Sequence, residues 1–493
     1  MARLRLPGFV GPSYTSESRI AAYDRTVNLI PEQMESGTGQ APYALYLAPG
    51  YTTFCTLPTT PVRGLYTLNG TSWAVGGESL YQLPTTLGGS PTLLTTGVSN
   101  PDGGWVTMAG NGDGGHQLAL SSGSVKYNFD LTSNTLTAQV GVANQIGFLD
   151  GYFIALDTAR SEFSLSALED GSSWDPLDVA QRSDAADKWV SMLVHQAGKE
   201  LWLFGSQSGS VWYNNGDAAF PFVPNPSVFL TQGTSAASSP AVLKGAPIWL
   251  GQGIGGGRVV YWANGYTPTR VSTHAVETAF AGYTAAQIAG ASAFVYEEIG
   301  HSFYVLTFPA ISTFSETVIP GATWVFDATT GFWHERGLWN GWNYDALPII
   351  GHIYANGVHL TGSTTTGVIY QMSKTLLTDT AGNGLRWLRR APHIAQMHNR
   401  MIVDRVELLM ETGLGLPSGQ GSDPQIMLAW SNNGGETWSP QRAVTAGAVG
   451  AFQTRAVWRQ LGLSRDRVFE VTGSDPIPWR LIDAFVDVRV GAP

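Results

Sequence analysis

The chain has 493 residues, a formal net charge of −10, only 13% charged residues, 59 glycines and 27 prolines. An acidic chain lacks the basic footprint of a nucleic-acid grip, and a single cysteine excludes a disulfide-stapled fold. No run approaches the 18 apolar residues of a membrane span, and MARLRLPGFVGPSY at the N-terminus has no apolar stretch of signal-peptide length, so neither spanning nor signal-directed export is expected.

Residues 1–60 are rich in Pro, Gly, Ser and Thr and lack a repeat. They read as an arm whose strands join another unit. From 61 to 380 one grammar recurs: a short apolar run, a turn of Gly, Ser or Asn, and an aromatic run. It is seen in SWAVGGESLYQL (72–83), HQLALSSGSVKYNFD (116–130), YFIALDTARSEFSLSAL (152–168), ELWLFGSQSGSVWYNNG (200–216), PIWLGQGIGGGRVVYWANG (247–265) and VHLTGSTTTGVIYQM (358–372). Period-two alternation between such turns predicts hairpins with half-buried strands. The aromatics Tyr81, Tyr127, Phe163, Tyr213, Tyr261, Phe326 and Tyr370 recur about every 48 residues, a period that suits one four-stranded propeller blade.

The predicted fold is therefore all-β, with a β-propeller of about seven blades over 61–380. Six or eight blades fit the repeat as well. Blades begin near 61, 102, 143, 189, 237, 290 and 347, and ALYLAPGYTTFCTL (44–57) is expected to close the ring by supplying the last blade's missing strand. STHAVETAFAGYTAAQIAGA (272–291) predicts a helix capped by Ser272 or Thr273. From 381 to 493 the strands lengthen and predict a β-sandwich-like platform, built together with the N-terminal arm. In WRLIDAFVDVRV, Ile482, Ala484, Val486, Val488 and Val490 alternate with Asp483, Asp487 and Arg489, the pattern of a one-sided sheet strand.

Candidate sites are few. In GQGIGGG (251–257), Gly251, Gly253 and Gly256 match a dinucleotide-binding spacing but precede a strand, whereas that chemistry needs a helix N-terminus. His352 and His359 are seven apart and are expected on opposite faces of a strand. His393 and His398 lack metal-site spacing, and Cys55 has no assignable His partner. Adjacent Glu297 and Glu298 point opposite ways on a strand and make no acid–base pair. No catalytic residue, cofactor or metal is expected. The basic cluster Arg386, Arg389, Arg390 and Arg400 lies at the junction of the two units and reads as a protein contact. SNNGGETW (431–438) resembles the Asp-box turn of sialidase-like propellers, with Ser431, Asn433, Gly435, Thr437 and Trp438 in the motif positions and Asn where the family has Asp. EDGSSW (169–174) is a weaker relative. Its expected role is structural: a side chain caps backbone amides in the turn.

Residues 381–493 hold 12 Lys+Arg and 10 Asp+Glu, so the acidic excess lies in residues 1–380. The low charge density predicts extensive subunit contacts.

Several segments in order, LPGFVGPSY (6–14), RTVNLIPEQMESGTG (25–39), STHAVETA (272–279), SNNGGETWS (431–439) and RQLGLSRDRVFEVTGSDPIPWRLIDAFVDVRV (459–490), resemble the tail-nozzle, or packaged-DNA-stabilising, proteins of short-tailed bacteriophages. The resemblance implies a non-enzymatic virion tail protein assembled in the host cytoplasm. It implies a homo-hexameric ring below the portal and adaptor, contacts with tail fibre, tailspike or needle proteins, and a plug and conduit for double-stranded DNA held without sequence-specific binding. Two alternatives are a carbohydrate-binding or sialidase-like propeller, suggested by the Asp-box-like turn and 17 tryptophans, and a phage tail protein touching the host surface through GLWNGWNYD (337–345).

Overall fold

The computed structural model describes all residues except 1, 37, 102, 253–254, 313–317, 398 and 492–493. The chain is almost wholly β. Among the described residues seven antiparallel units follow one another, starting at Val62–Leu68, Thr107–Gly110, Gln145–Leu149, Trp189–His195, Gly233–Thr234, Ser292–Glu298 and Ile349–Ala355. Six are separate sheets, while the unit spanning 292–336 runs on into the platform. First strands lie side by side around the ring, so Val62–Leu68 touches both Thr107–Gly110 and Ile349–Ala355.

The turn chemistry is visible in the hairpins. Asn69–Gly70 and Asn356–Gly357 both hold positive φ at each residue, as two-residue turns matched to strand twist require. Apolar residues alternate inward and pack between neighbouring blades, as where Phe163 and Trp189 each meet Trp212 edge to face. Ring closure follows the sequence expectation: Gly50–Thr56 pairs with Val368–Ser373, with Thr53 opposite Tyr370.

The expected single helix is two short ones, His274–Ala281 and Ala285–Ala289. Thr273 caps the first. Gly282 ends it, and Thr284 with Gln287 forms a capping box that starts the second. A side chain that can restart a helix competes with continuing the first one.

The platform is a sandwich of two sheets. One orders Leu29–Gln33, Tyr43–Leu47, Arg480–Val490, Met401–Met410 and Ala456–Arg459, with Ala2–Arg5 also on Arg480–Val490. The other orders Tyr23–Val27, Trp387–Arg390, Asp466–Gly473, Gln425–Ser431 and Arg442–Thr445, and joins the propeller where Val27 pairs in parallel with Glu335. Trp387 and Trp479, both fully buried, meet edge to face at 5.2 Å in its core. The strand 480–490 departs from the expected one-sided pattern: Asp483 and Asp487 are buried, because Arg5 pairs with Asp483 and Arg405 with Asp487 at 2.8 Å. Val490, expected to face the core, is exposed.

Candidate functional site

The most elaborate polar construction lies where the arm, the propeller and the platform meet. Its centre is Arg389, fully buried on Trp387–Arg390. Nη2 donates to the Gly8 carbonyl at 2.6 Å, Nε to that of Phe9, and Nη1 to that of Pro12 at 3.1 Å and to Thr26 Oγ1 at 2.7 Å. Asp24 stands 3.7 Å away. Burial pushes the guanidinium down to about 10, with Asp24 pulling it back. Five rigid donors suit a ring of carbonyls that no lysine could serve. Arg25 clamps the same arm to the propeller through a two-pronged pair with Glu335, at 2.8 Å for the shorter ion-pair distance.

Arg390, on the opposite face, pairs with Glu470 at 2.7 Å and lies between two rings, 3.9 Å from the centroid of Tyr23 and 4.9 Å from that of Trp438. Trp438 belongs to the Asp-box-like turn. There Ser431 Oγ accepts from the Gly435 amide at 2.9 Å, Asn433 Oδ1 accepts from the Thr437 amide at 3.0 Å, and Asn433 Nδ2 donates to Thr437 Oγ1 at 3.0 Å. Trp438 Nε1 donates to the Gly435 carbonyl at 3.1 Å. The relative at 169–174 repeats the device: Trp174 Nε1 donates to the Gly171 carbonyl at 2.8 Å, and Asp170 Oδ1 accepts from the Ser172 amide at 2.9 Å.

The four arginines thus do not assemble as one surface cluster. Arg389 and Arg390 alternate across a buried strand and are held by their own chain. Arg386 lies 4.4 Å from the Trp339 ring centroid, and Arg400 alone is exposed. Arg389 and Arg390 serve the internal seam, because their strand is buried on both sides.

Sequence reasoning missed a second seam. His301, buried, places Nδ1 2.7 Å from Asp327 and Nε2 2.8 Å from Glu32 of the platform. The Asp327 hydrogen bond raises the His301 pKa against the opposing effect of burial. Burial raises Asp327, but the hydrogen bonds from His301, the Thr329 amide and the Thr330 hydroxyl, with the His301 charge, together outweigh it and the carboxyl sits low. Beside this seam a cavity of about 880 Å³ is lined by Tyr46, Lys374, Trp479 and Arg480 among others. No local signal announces the pair, since Glu32 and His301 are 269 residues apart.

His352 and His359 are a further correction. They face each other, Nε2 to Nδ1 at 3.0 Å, because they sit on adjacent antiparallel strands, Ile349–Ala355 and Val358–Ser363, with a register shift between Ile350 and Ile353. Burial, then the His359 charge, pushes His352 down to about 3, so the pair is neutral at physiological pH. Gly251 lies within the strand Ala246–Gln252, Gly256 precedes the strand Arg258–Asn264, and Gly253 lies outside the described residues, as does His398. Among the described residues no three His, Cys, Asp or Glu gather as a metal site would require. Cys55 is buried, and burial pushes its thiol up to about 11.

Two family models match the chain: residues 16–377 match "Bacteriophage P22 Gp10, beta-propeller" and residues 386–489 match "Bacteriophage P22 Gp10, beta-sandwich". No curated protein matches. Similar solved structures include the N-terminal domain of Nup159, with 12% identity, TM-score 0.38, 66% of this chain and 95% of that one covered. An exo-beta-1,3-galactanase from Phanerochaete chrysosporium gives 10% identity, TM-score 0.29, and 90% and 100% coverage. A putative 6-phosphogluconolactonase from Bacteroides uniformis gives 13% identity, TM-score 0.38, and 61% and 87% coverage.

Proposed function

We propose, from the premise that this chain belongs to the bacteriophage P22 Gp10 family, how it serves the phage tail. The protein is a structural component of the virion, a tail hub that closes the portal channel and retains packaged DNA, and it assembles with other virion proteins. The two family matches, which together span propeller and platform in chain order, carry this reading.

The finer assignment is a homo-hexameric ring beneath the portal and adaptor, joined to tail fibre, tailspike or needle proteins, which does no chemistry and passes DNA at ejection. Three observations support it. The arm is stitched into both units through Arg25, Arg389 and Gly50–Thr56, giving a body that can bear load as one piece. Only 13% of residues are charged, which lowers the desolvation cost of broad subunit contacts. The acidic excess within residues 1–380 repels phosphate at short range, so DNA slides rather than sticks.

Electron microscopy of the purified chain with its adaptor ring is the test. Six-fold rings with an axial channel are the expected image. Monomers in the presence of the adaptor, or rings of another order, refute the hexamer.

A further inference from the structure

Every outer blade strand leaves one edge of backbone N–H and C=O groups, and proteins protect such edges with charge, proline or a cover. Four outer strands here obey. Asp170–Gln181 carries Asp175, Pro176 and Asp178, Phe222–Leu230 carries Pro224 and Pro226, and Thr267–Arg270 carries Pro268. Gly50–Thr56 is covered, its Tyr51 amide donating to the Thr378 carbonyl and its Phe54 carbonyl accepting from the Gly88 amide. The outer strand of the unit spanning 292–336 is continued by Tyr23–Val27.

Thr135–Val142, sequence TLTAQVGV, breaks the rule. It pairs with Val125–Asp130 on one side, and among the described residues no strand pairs with its other side. Its eight residues contain neither charge nor proline, and Val140 is 79% exposed. Its regular ladder covers Thr135–Gln139, about 16 Å at 3.3 Å per residue, before a bulge at Val140–Gly141 shifts the register. In the neighbouring blade Thr92–Thr96, TLLTT, is likewise uncharged, with Leu93 exposed.

We infer that the free edge of Thr135–Val142 receives a strand from a different protein of the tail. The backbone edge selects an extended segment, by main-chain hydrogen bonding. Neutrality of the edge selects an uncharged β-forming stretch. The surroundings select its flanks, because Asp130 at the strand's hairpin and Asp175 and Asp178 on the adjacent outer strand favour Lys or Arg beside that stretch. A second copy of this chain is disfavoured, since it would bring another acidic blade to the same place. The inference rests on the tail assignment only for the source of the strand.

The chain's own chemistry supplies the test, because buried Cys55 with its raised thiol pKa stays silent to maleimide. Val140→Cys and, on the protected neighbour, Leu177→Cys are labelled in purified protein and in intact virions. Both sites label quickly in the purified chain. In virions labelling at 140 is expected to slow at least tenfold and labelling at 177 to stay unchanged. Hydrogen exchange of amides 135–142 is expected to slow in the same samples, and a photo-crosslinker at 140 to capture a different tail protein within a neutral segment flanked by basic residues. Equal labelling at 140 in both samples, unchanged exchange, or crosslinks to a second copy overturn the inference. Absence of the chain from virions would instead overturn the tail assignment.

Discussion

His301 Nε2 stands 2.8 Å from Glu32 Oε2, joining a propeller hairpin to a platform strand, while its Nδ1 is 2.7 Å from buried Asp327. Because His301 titrates above its ordinary value, its contribution is full below pH of about 6.5 and is lost as pH rises through the folded-state value. Asp327 sits low, so its contribution is present above about 4 and is lost as pH falls through its folded-state value. Neighbouring His334, pushed by burial to about 3, acts in the other direction: it disfavours the folded state as pH falls below about 6.5. The wild type minus His301→Gln difference therefore reads the seam together with the charge that His301 places beside His334. Chemical denaturation is expected to show a loss of about 1–3 kcal/mol at pH 5.5, shrinking toward pH 9. A difference that does not change with pH would refute it.

Arg389→Lys keeps a charge but strands the carbonyls of Phe9 and Pro12, which accept from Nε and Nη1. The expected cost is about 3–5 kcal/mol, because a fully buried site leaves those groups unsatisfied. Limited proteolysis reads this directly: cleavage within residues 8–22 should accelerate before the propeller is touched.

In the Asp-box-like turn, Gly435 has φ +92°, and a Cβ there would lie 2.1 Å from the Tyr23 ring. Gly435→Ala is expected to cost about 2–4 kcal/mol, and Asn433→Ala about 1 kcal/mol. Asn433→Asp is expected to be nearly neutral, since the Thr437 hydroxyl can turn to donate. Melting temperatures should rise in the order Gly435→Ala, Asn433→Ala, Asn433→Asp.

Ring closure depends on Gly50–Thr56, where Thr53 lies opposite Tyr370. Thr52→Pro, opposite Gln371 and on the ladder side because the Tyr51 amide and carbonyl both turn outward to Thr378, removes a donor and fixes φ inside the ladder, at a cost of about 3 kcal/mol or more. Cys55, three residues along, reports the result. Its thiol should be unreactive at pH 7 in the wild type and label in the variant at a denaturant concentration well below the wild-type midpoint.

Much of this fold was legible in sequence, and the physical reason is local. Period-two alternation and Asn-Gly turns act within ten residues, so the hairpins, the spacing of the blades, the closing role of 44–57 and the Asp-box-like turn could all be read from neighbours. Helix 272–291 was read with its cap but without its break, since the capping box at Thr284 competes with helix continuation only by a small margin.

What sequence could not decide is where charge goes once strands are paired. The cluster RWLRR reads as a surface, but strand alternation and two flanking sheets bury Arg389 among carbonyls 377 to 381 residues away and Arg390 between Tyr23 and Trp438. His352 and His359 came together because a bulge between Ile350 and Ile353, which no local pattern announces, sets the register of the two strands. The sequence by itself determined the repeating hairpins, the all-β class and the two-part plan, because these follow from short-range periodicity. Only the tertiary structure decided which arginines are internal, which histidine joins the two parts and which strand edge stays open, because each of those depends on groups that the chain brings together from hundreds of residues apart.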